Sequence, residues 1–214
     1  MATATKWANV AVAMQSALAA ADTITGITKA SPGVVTATAH GMSNGDFVYL
    51  SVQGMYQLDG KVVRIANVAT NTFELEGIDT TAFDTFSSGT AQAVTFGTSI
   101  TTATTMNASG GDFDFIDTTT IHSNVKTQIP GLGNPVTYSF DNLWDSADAG
   151  QIAMKAASDA QAIRAFKFTF GTGGKIMAFA GYVGFTGAPT GNAQDKVVTP
   201  ATITAFGTPT YYAS

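Results

Sequence analysis

Residues 163–187 read IRAFKFTFGTGGKIMAFAGYVGFTG, and the reading of this stretch decides the fold class. Arg164, Phe166, Phe168 and Phe170 alternate with Ala165, Lys167 and Thr169. A period of two sorts side chains onto opposite faces only in an extended strand, so the run predicts a strand with one aromatic face. Gly171-Thr172-Gly173-Gly174 interrupts it, and the apolar run KIMAFAGYVGF follows, which predicts a β-hairpin. Those glycines do not form a phosphate cradle, because they join two strands and lack the Gly-Lys-Ser/Thr ending that opens a helix onto a phosphate.

Working outward, DKVVTPATITAFGTPTYY at 195–212 continues as strand, and VTYSF at 136–140 reads the same way. Between the latter and the hairpin lies the one convincing helix, residues 147–162. Ile152, Met154, Ala156, Ala157, Ala160 and Ile163 give it an amphipathic, Ala-rich surface, and Asp148 sits near its N-terminus, where the helix dipole favours an acid. Such a helix is expected to lie on a sheet as a lid.

Farther upstream, AVTFGTSITTATTM at 93–106 predicts long Thr-rich strands. A Gly- and Asp-rich loop, GGDFDFIDTTTIH, and a second connection, SNVKTQIPGLGNP, come next. Pro130, Gly131, Gly133 and Pro135 exclude regular helix there and predict an extended arm.

Residues 24–92 read as short strands between turns: VVTAT, FVYLSV, QGMYQLDG, KVVRIANV and NTFELEGI. Ser43-Asn44-Gly45-Asp46 is a turn in which Asn-Gly readily supplies positive φ. Alternation places Phe47 and Tyr49 opposite Val48 and Leu50, and Val62, Ile65, Phe73 and Leu75 are the expected core of a small β-barrel or sandwich. At the N-terminus, Lys6 and the following VAVAMQSALAAAD superficially resemble a signal peptide, but the charge is single and Gln15 with Ser16 splits the apolar run. The favoured reading is a first strand with Val10, Val12 and Met14 on one face, leading into an Ala-rich stretch.

Composition narrows the function classes. The chain has 214 residues, 45% of them hydrophobic, enough for packed cores. Only 12% are charged, about half the usual share. So little surface charge predicts a surface covered by further copies of the chain. The net charge is −5 and the ten Lys and Arg are scattered singly, which argues against sequence-specific nucleic-acid binding. There is no cysteine, which removes disulfides, zinc-thiolate sites and thiol catalysis. No apolar run approaches the roughly 20 residues of a membrane-spanning helix.

Two resemblances follow from these segments. The order VTYSF, acidic loop, helix, hairpin and final strand resembles the tube domain of long-tailed bacteriophage major tail-tube proteins. Phe179-Ala180-Gly181-Tyr182-Val183 is similar to that family's FxGYV-like motif, and Asp195, Val197, Thr199, Ile203, Gly207 and Pro209 follow its later rhythm. IDTTTIHSNVKTQIPGL also resembles the family's long loop between two strands. Residues 27–83 resemble a different module, the first catalytic cysteine half-domain of ubiquitin-activating enzymes, which also recurs in phage structural proteins. Without a cysteine, that likeness implies fold alone.

The expected architecture is therefore all-β with one flanking helix: a discontinuous tail-tube β-sandwich or barrel domain, 1–21 and 93–214, interrupted by a small β-barrel insert at 22–92. The resemblance implies a non-enzymatic subunit of hexameric rings stacked into a conduit for DNA, needing no cofactor. It implies as partners the chain itself, tape-measure, tail-terminator and tail-tip proteins, and DNA passing non-specifically, with no membrane insertion. It places the protein in the virion tail after assembly in the bacterial cytoplasm. The insert is expected to face outward, since a domain of this size would block the conduit. The loop at 110–135, with Asp112, Asp114, Asp117, His122, Lys126, Ile129, Pro130 and Leu132, is the candidate inter-subunit or inter-ring contact. Thr98, Ile100, Thr102 and Thr104 are the candidate lumen strand.

Rival readings are weaker. Asp112, Asp114 and Asp117 lack the spacing and the bidentate Glu of an EF-hand calcium loop. His40 and His122 are far apart and join no Ser-His-Asp or metal-ligand set. Asn107-Ala108-Ser109 matches a glycosylation sequon that a bacterial product would leave bare. Trp7, Trp144, Tyr182, Tyr211 and Tyr212 could line a sugar site, but with no acidic pair beside them packing or subunit contact is the better reading. The alternative function is a phage surface-decoration or host glycan-binding module using the inserted domain.

Overall fold

The computed structural model describes residues 9–171 and 174–213. Lys6, Trp7 and the Thr172-Gly173 part of the hairpin turn lie outside the described residues. The protein is mostly β, with one α-helix among the described residues.

The first described strand is β1 (Val10–Met14), from which the chain crosses at Gln15 and Ser16 into a second sheet. That sheet comprises β2 (Ala17–Leu18), β3 (Asp22–Ile27), β4 (Val34–Ala37), β5 (Phe47–Gln53), β6 (Val62–Ala69), β7 (Thr72–Leu75) and β8 (Ser88–Thr95). The chain then returns to the first sheet through β9 (Thr98–Ile100) and β10 (Ala103–Ser109). A two-stranded ribbon of β11 (Phe113–Asp117) and β12 (Gln128–Gly133) follows, then β13 (Thr137–Leu143), α1 (Ala149–Asp159), β14 (Ile163–Phe170), β15 (Ile176–Phe185) and β16 (Val198–Tyr212). The first sheet curls into a half-barrel in the order β10-β13-β16-β15-β14-β1-β9. The second runs β2-β8-β3-β4-β7-β6-β5, and β5 also pairs with β8.

The alternation at 163–170 builds the first core. Phe166 pairs with Phe179 and Phe168 with Met177 across the hairpin, while Val12 and Met14 on β1 sit opposite Phe168 and Phe166. All of these side chains are buried. Tyr138 stacks on Phe179 at 4.8 Å between centroids, and Phe168 lies 5.6 Å from the same ring. Each buried aromatic contributes about 1.5–3 kcal/mol by leaving water, and each ring pair about 0.5–1.5 more. Met154 and Ala157 of α1 close this core. The helix is shorter than its sequence pattern. Asp148 caps it, with Oδ1 accepting from the Gln151 amide at 2.9 Å, and Ile163 belongs to β14. The buried face runs through Gly150, Met154 and Ala157 at helical spacing, which turns Ile152 outward, 56% exposed.

The second sheet encloses its own core of Val35, Val48, Leu50, Ile65, Phe73 and Leu75. The turn at 43–46 forms with Gly45 at φ +89, and Asp46 accepts from the Ser43 amide at 2.8 Å. Residues 56–58, read as part of a strand segment, form a 3-10 turn instead. Val62 is buried, but not in this core: with Phe47 it packs on Ala165, Ala178, Ala180 and Tyr212 of the first sheet. The outer face of β14 and β15 is therefore thin, and three alanines let the second sheet approach closely. Thr210 reinforces the contact, its hydroxyl lying 2.7 Å from the Val62 carbonyl and 3.0 Å from that of Ala178.

The long segment at 93–106 is broken rather than continuous. β8 ends in the second sheet, and the crossing is held where the Gly97 amide donates to the Ser16 hydroxyl at 3.1 Å. Gln15, which splits the apolar run in the sequence, extends the first sheet's pairing with its side chain. Its Oε1 accepts from the Ala165 amide at 3.0 Å.

Candidate assembly surface

The segment predicted as an extended arm is a β-ribbon with a connecting loop at 118–127. Phe115 pairs with Pro130, Ile116 with Ile129 and Asp117 with Gln128, with a register irregularity between Phe113 and Phe115. Pro130 is tolerated because a two-stranded ribbon has an outward side on which no amide need be donated. Phe113, Phe115, Ile116 and Ile129 are all more than half exposed, Leu132 is 87% exposed and Ile121 96%. Apolar side chains displayed this way make the ribbon a candidate contact surface.

The charged arm residues do not converge. Asp117 faces Lys126 at 3.4 Å, and the hydroxyl and amide of Thr119 hold its carboxyl below the usual carboxylate range. Asp114 accepts from the Asn134 side-chain amide at 3.1 Å. Asp112 and His122 are exposed. Among the described residues no three acidic, imidazole or thiol side chains come together in a metal-binding group.

His40 is buried under the second sheet. Its Nδ1 accepts from the Met42 amide at 3.2 Å, so Nε2 carries the proton and donates to the Ala69 carbonyl at 3.0 Å. Its ring meets Phe73 edge-on, which makes it part of a loop closure.

The four candidate lumen residues separate. Ile100 is buried in the aromatic core and is unavailable to any wall. Thr102 lies in the turn between β9 and β10, its hydroxyl 3.2 Å from Asn142 Oδ1. Thr98 is half-buried, and Thr104 is exposed on β10, donating to the Asp141 carbonyl at 3.1 Å. β10 and β9 form the two ends of the first sheet, and neither has a sheet partner on its outer side among the described residues.

Three polar residues carry more than their sequence positions suggested. Gln151 is buried on α1 and donates to the Leu143 carbonyl at 2.6 Å, tying the helix to β13. Trp144 donates its indole N–H to the Gly187 carbonyl at 3.2 Å and forms one wall of a groove with Ile152 and Phe185. Arg164, at the end of the aromatic face, borders a second groove along α1. Trp144 reaches a segment 43 residues away and Gln151 also lies within hydrogen-bond distance of the Thr102 hydroxyl, 49 residues away, and nothing in the local pattern points to either contact.

A curled sheet with both edges open among the described residues, joined to a second sheet and bearing an apolar ribbon, defines the class: a β-rich structural protein. The family model of the phage tail tube protein, TTP, matches residues 53–214, and the chain belongs to that family. Its members are non-enzymatic structural components of the virion tail. The match begins at Gln53, the last residue of β5, so it takes in strands of both sheets. No curated protein matches the chain.

Proposed function

We infer that copies of this chain form hexameric rings that stack into a tube through which DNA leaves the virion. The observation that carries this reading is the half-barrel with two open edges in a chain of the tail tube family. An exposed edge strand presents unpaired amides and carbonyls, and pairing β10 of one copy with β9 of the next satisfies both while curling the sheets into one closed barrel. Each copy adds a net charge of −5, so a tube of many copies is strongly negative as a whole, which disfavours retention of DNA.

In this reading the exposed Thr104 side of β10 faces the conduit. The β11–β12 ribbon, with Ile129, Pro130 and Leu132, reaches a neighbouring subunit or the next ring. Tape-measure, terminator and tip proteins meet the ends of the tube. The second sheet is an inserted module on the outer surface, interrupting a tube domain made of the chain on either side of it. Electron microscopy of the purified protein tests the proposal: annular particles and tubes are expected. Monomers that never associate, even at high concentration and with tail partners added, would overturn it.

A further inference from the structure

We propose that the groove along α1 beside Arg164 is the receptor for the β11–β12 ribbon of another copy of this chain. The proposal rests on the tube-subunit reading and adds the identity of the receiving surface. The groove has a volume of about 460 Å³ and runs between α1 and the chain leaving β1, with Met14, Leu18, Ala153, Ala156 and Arg164 among its walls. Ala153, Ala156 and Ala157 stand three and four positions apart on one helix face. Larger side chains there would fill the channel, whereas alanine leaves room for an incoming aliphatic group.

Arg164 supplies the charge. The ion pairs among the described residues use Arg64, Lys126 and Lys155, and Lys167 lies over the rings of Phe47 and Phe96. None of them neutralises Arg164. A guanidinium at the end of an apolar channel is suited to a carboxylate flanked by aliphatic side chains, because its planar fork donates to both oxygens while the stem packs on carbon.

The ribbon offers that combination. Asp114 lies two residues before Ile116 on β11, at the register irregularity, with one carboxylate oxygen accepting from Asn134, and Ile116 is paired with Ile129 on β12. Asp114 is exposed, and both isoleucines are more than half exposed. The ribbon's acids outnumber its single lysine, so its charge is opposite to that of Arg164. β11 spans five residues, about 16 Å at about 3.3 Å per residue, and the exposed connection at 118–127 carries the ribbon farther from the first sheet. Its exposed faces show that it is not seated in the groove of its own chain.

The absence of native cysteine makes the contact directly measurable. In an Ile116→Cys, Ala156→Cys variant, mild oxidation is expected to give a ladder of covalently joined chains on a non-reducing gel. Arg164→Asp and Asp114→Arg are each expected to lower tube yield at least tenfold in micrographs, and the two together to restore it. Tubes that form normally in both single variants, or tubes of the cysteine variant that yield no cross-link, would overturn the receptor assignment while leaving the tube reading intact. If Arg164→Asp does not fold by circular dichroism, Asp114→Arg on the solvent-exposed ribbon and the cross-link decide. Absence of any tubes from the unmodified chain counts against the tube reading instead, and cross-linking at high concentration still reports on the contact.

Discussion

The backbone amide of Arg64 donates to the phenolic oxygen of Tyr212 at 2.9 Å, and the Arg64 guanidinium sits 4.8 Å above the centre of the same ring. The guanidinium also binds Glu76 bidentately and donates to the Ala213 carbonyl at 3.1 Å. One residue of β6 thus ties the end of the last strand to the second sheet. Tyr212→Phe leaves the Arg64 amide without its acceptor and is expected to cost about 1–2 kcal/mol. Tyr212→Ala also opens a cavity beside Phe47 and is expected to cost about 3–5 kcal/mol. Urea unfolding of the two variants measures both; an unchanged stability in Tyr212→Phe would show that the hydroxyl contributes nothing, and equal costs in the two variants that the ring contributes nothing.

Gly60 is the tightest point between the sheets. It sits at φ +68, and a Cβ built on it would lie 2.1 Å from the Phe206 ring. Gly60→Ala is therefore expected to destabilise by about 1–3 kcal/mol through backbone strain and overpacking together. Adding Phe206→Ala should relieve the steric part only. A double-mutant cycle in thermal unfolding separates the two, and an additive result would exclude the clash.

Tyr138 predicts an alkaline weakness. Burial, with a smaller contribution from the nearby Tyr211, pushes its phenol up to about 12, and the hydroxyl points at the Met177 sulfur at 3.5 Å. Because the folded-state value is raised, the unfolded chain releases this proton first as pH increases. The contribution is complete below pH 10 and is lost as pH rises from about 10 to about 12, amounting to about 2 kcal/mol. Tyr138→Phe should flatten that part of the stability–pH curve, as followed by chemical unfolding; an unchanged curve would count against it.

Ribbon substitutions should separate folding from assembly. Ile121→Ser and Leu132→Ser alter side chains that touch little, so stability is expected to stay within about 0.5 kcal/mol. Tube formation in micrographs is expected to fail. A large drop in melting temperature would mean that the ribbon supports the fold of its own chain.

The inserted-module proposal is tested by joining Ser16 directly to Gly97, two residues already hydrogen-bonded across the crossing. The shortened chain is expected to keep its β circular-dichroism signal and form rings, with lower stability because Ala165, Ala178 and Ala180 lose their cover. Loss of all cooperative folding would show that the two sheets form one unit.

The aromatic face of β14 was legible because its period of two is purely local, and so were the acidic cap of α1 and the turn at Asn44-Gly45. The helix length was not, since Ile152 and Ile163 fit the apolar pattern equally well whether buried or exposed. The ribbon at 113–133 was hidden by Pro130, Gly131 and Gly133, which forbid helix but do not forbid a strand with a free side. Ile100 read as one residue of a Thr-rich strand, and only the packing of β9 beside β1 places it in the core.

By itself the sequence determined the all-β class, the helix that follows VTYSF and the exclusion of thiol chemistry, because alternation, capping and composition act over a few residues. The tertiary structure decided which face of each strand meets which partner. It sent Val62 against the first sheet rather than into its own core, brought Arg64 to Tyr212 over a sequence separation of 148 residues, and set Arg164 beside the alanines of α1. Such contacts depend on chain crossings at Ser16 and Gly97 that no local pattern encodes, since the energy that selects them is released only when both sheets close on each other.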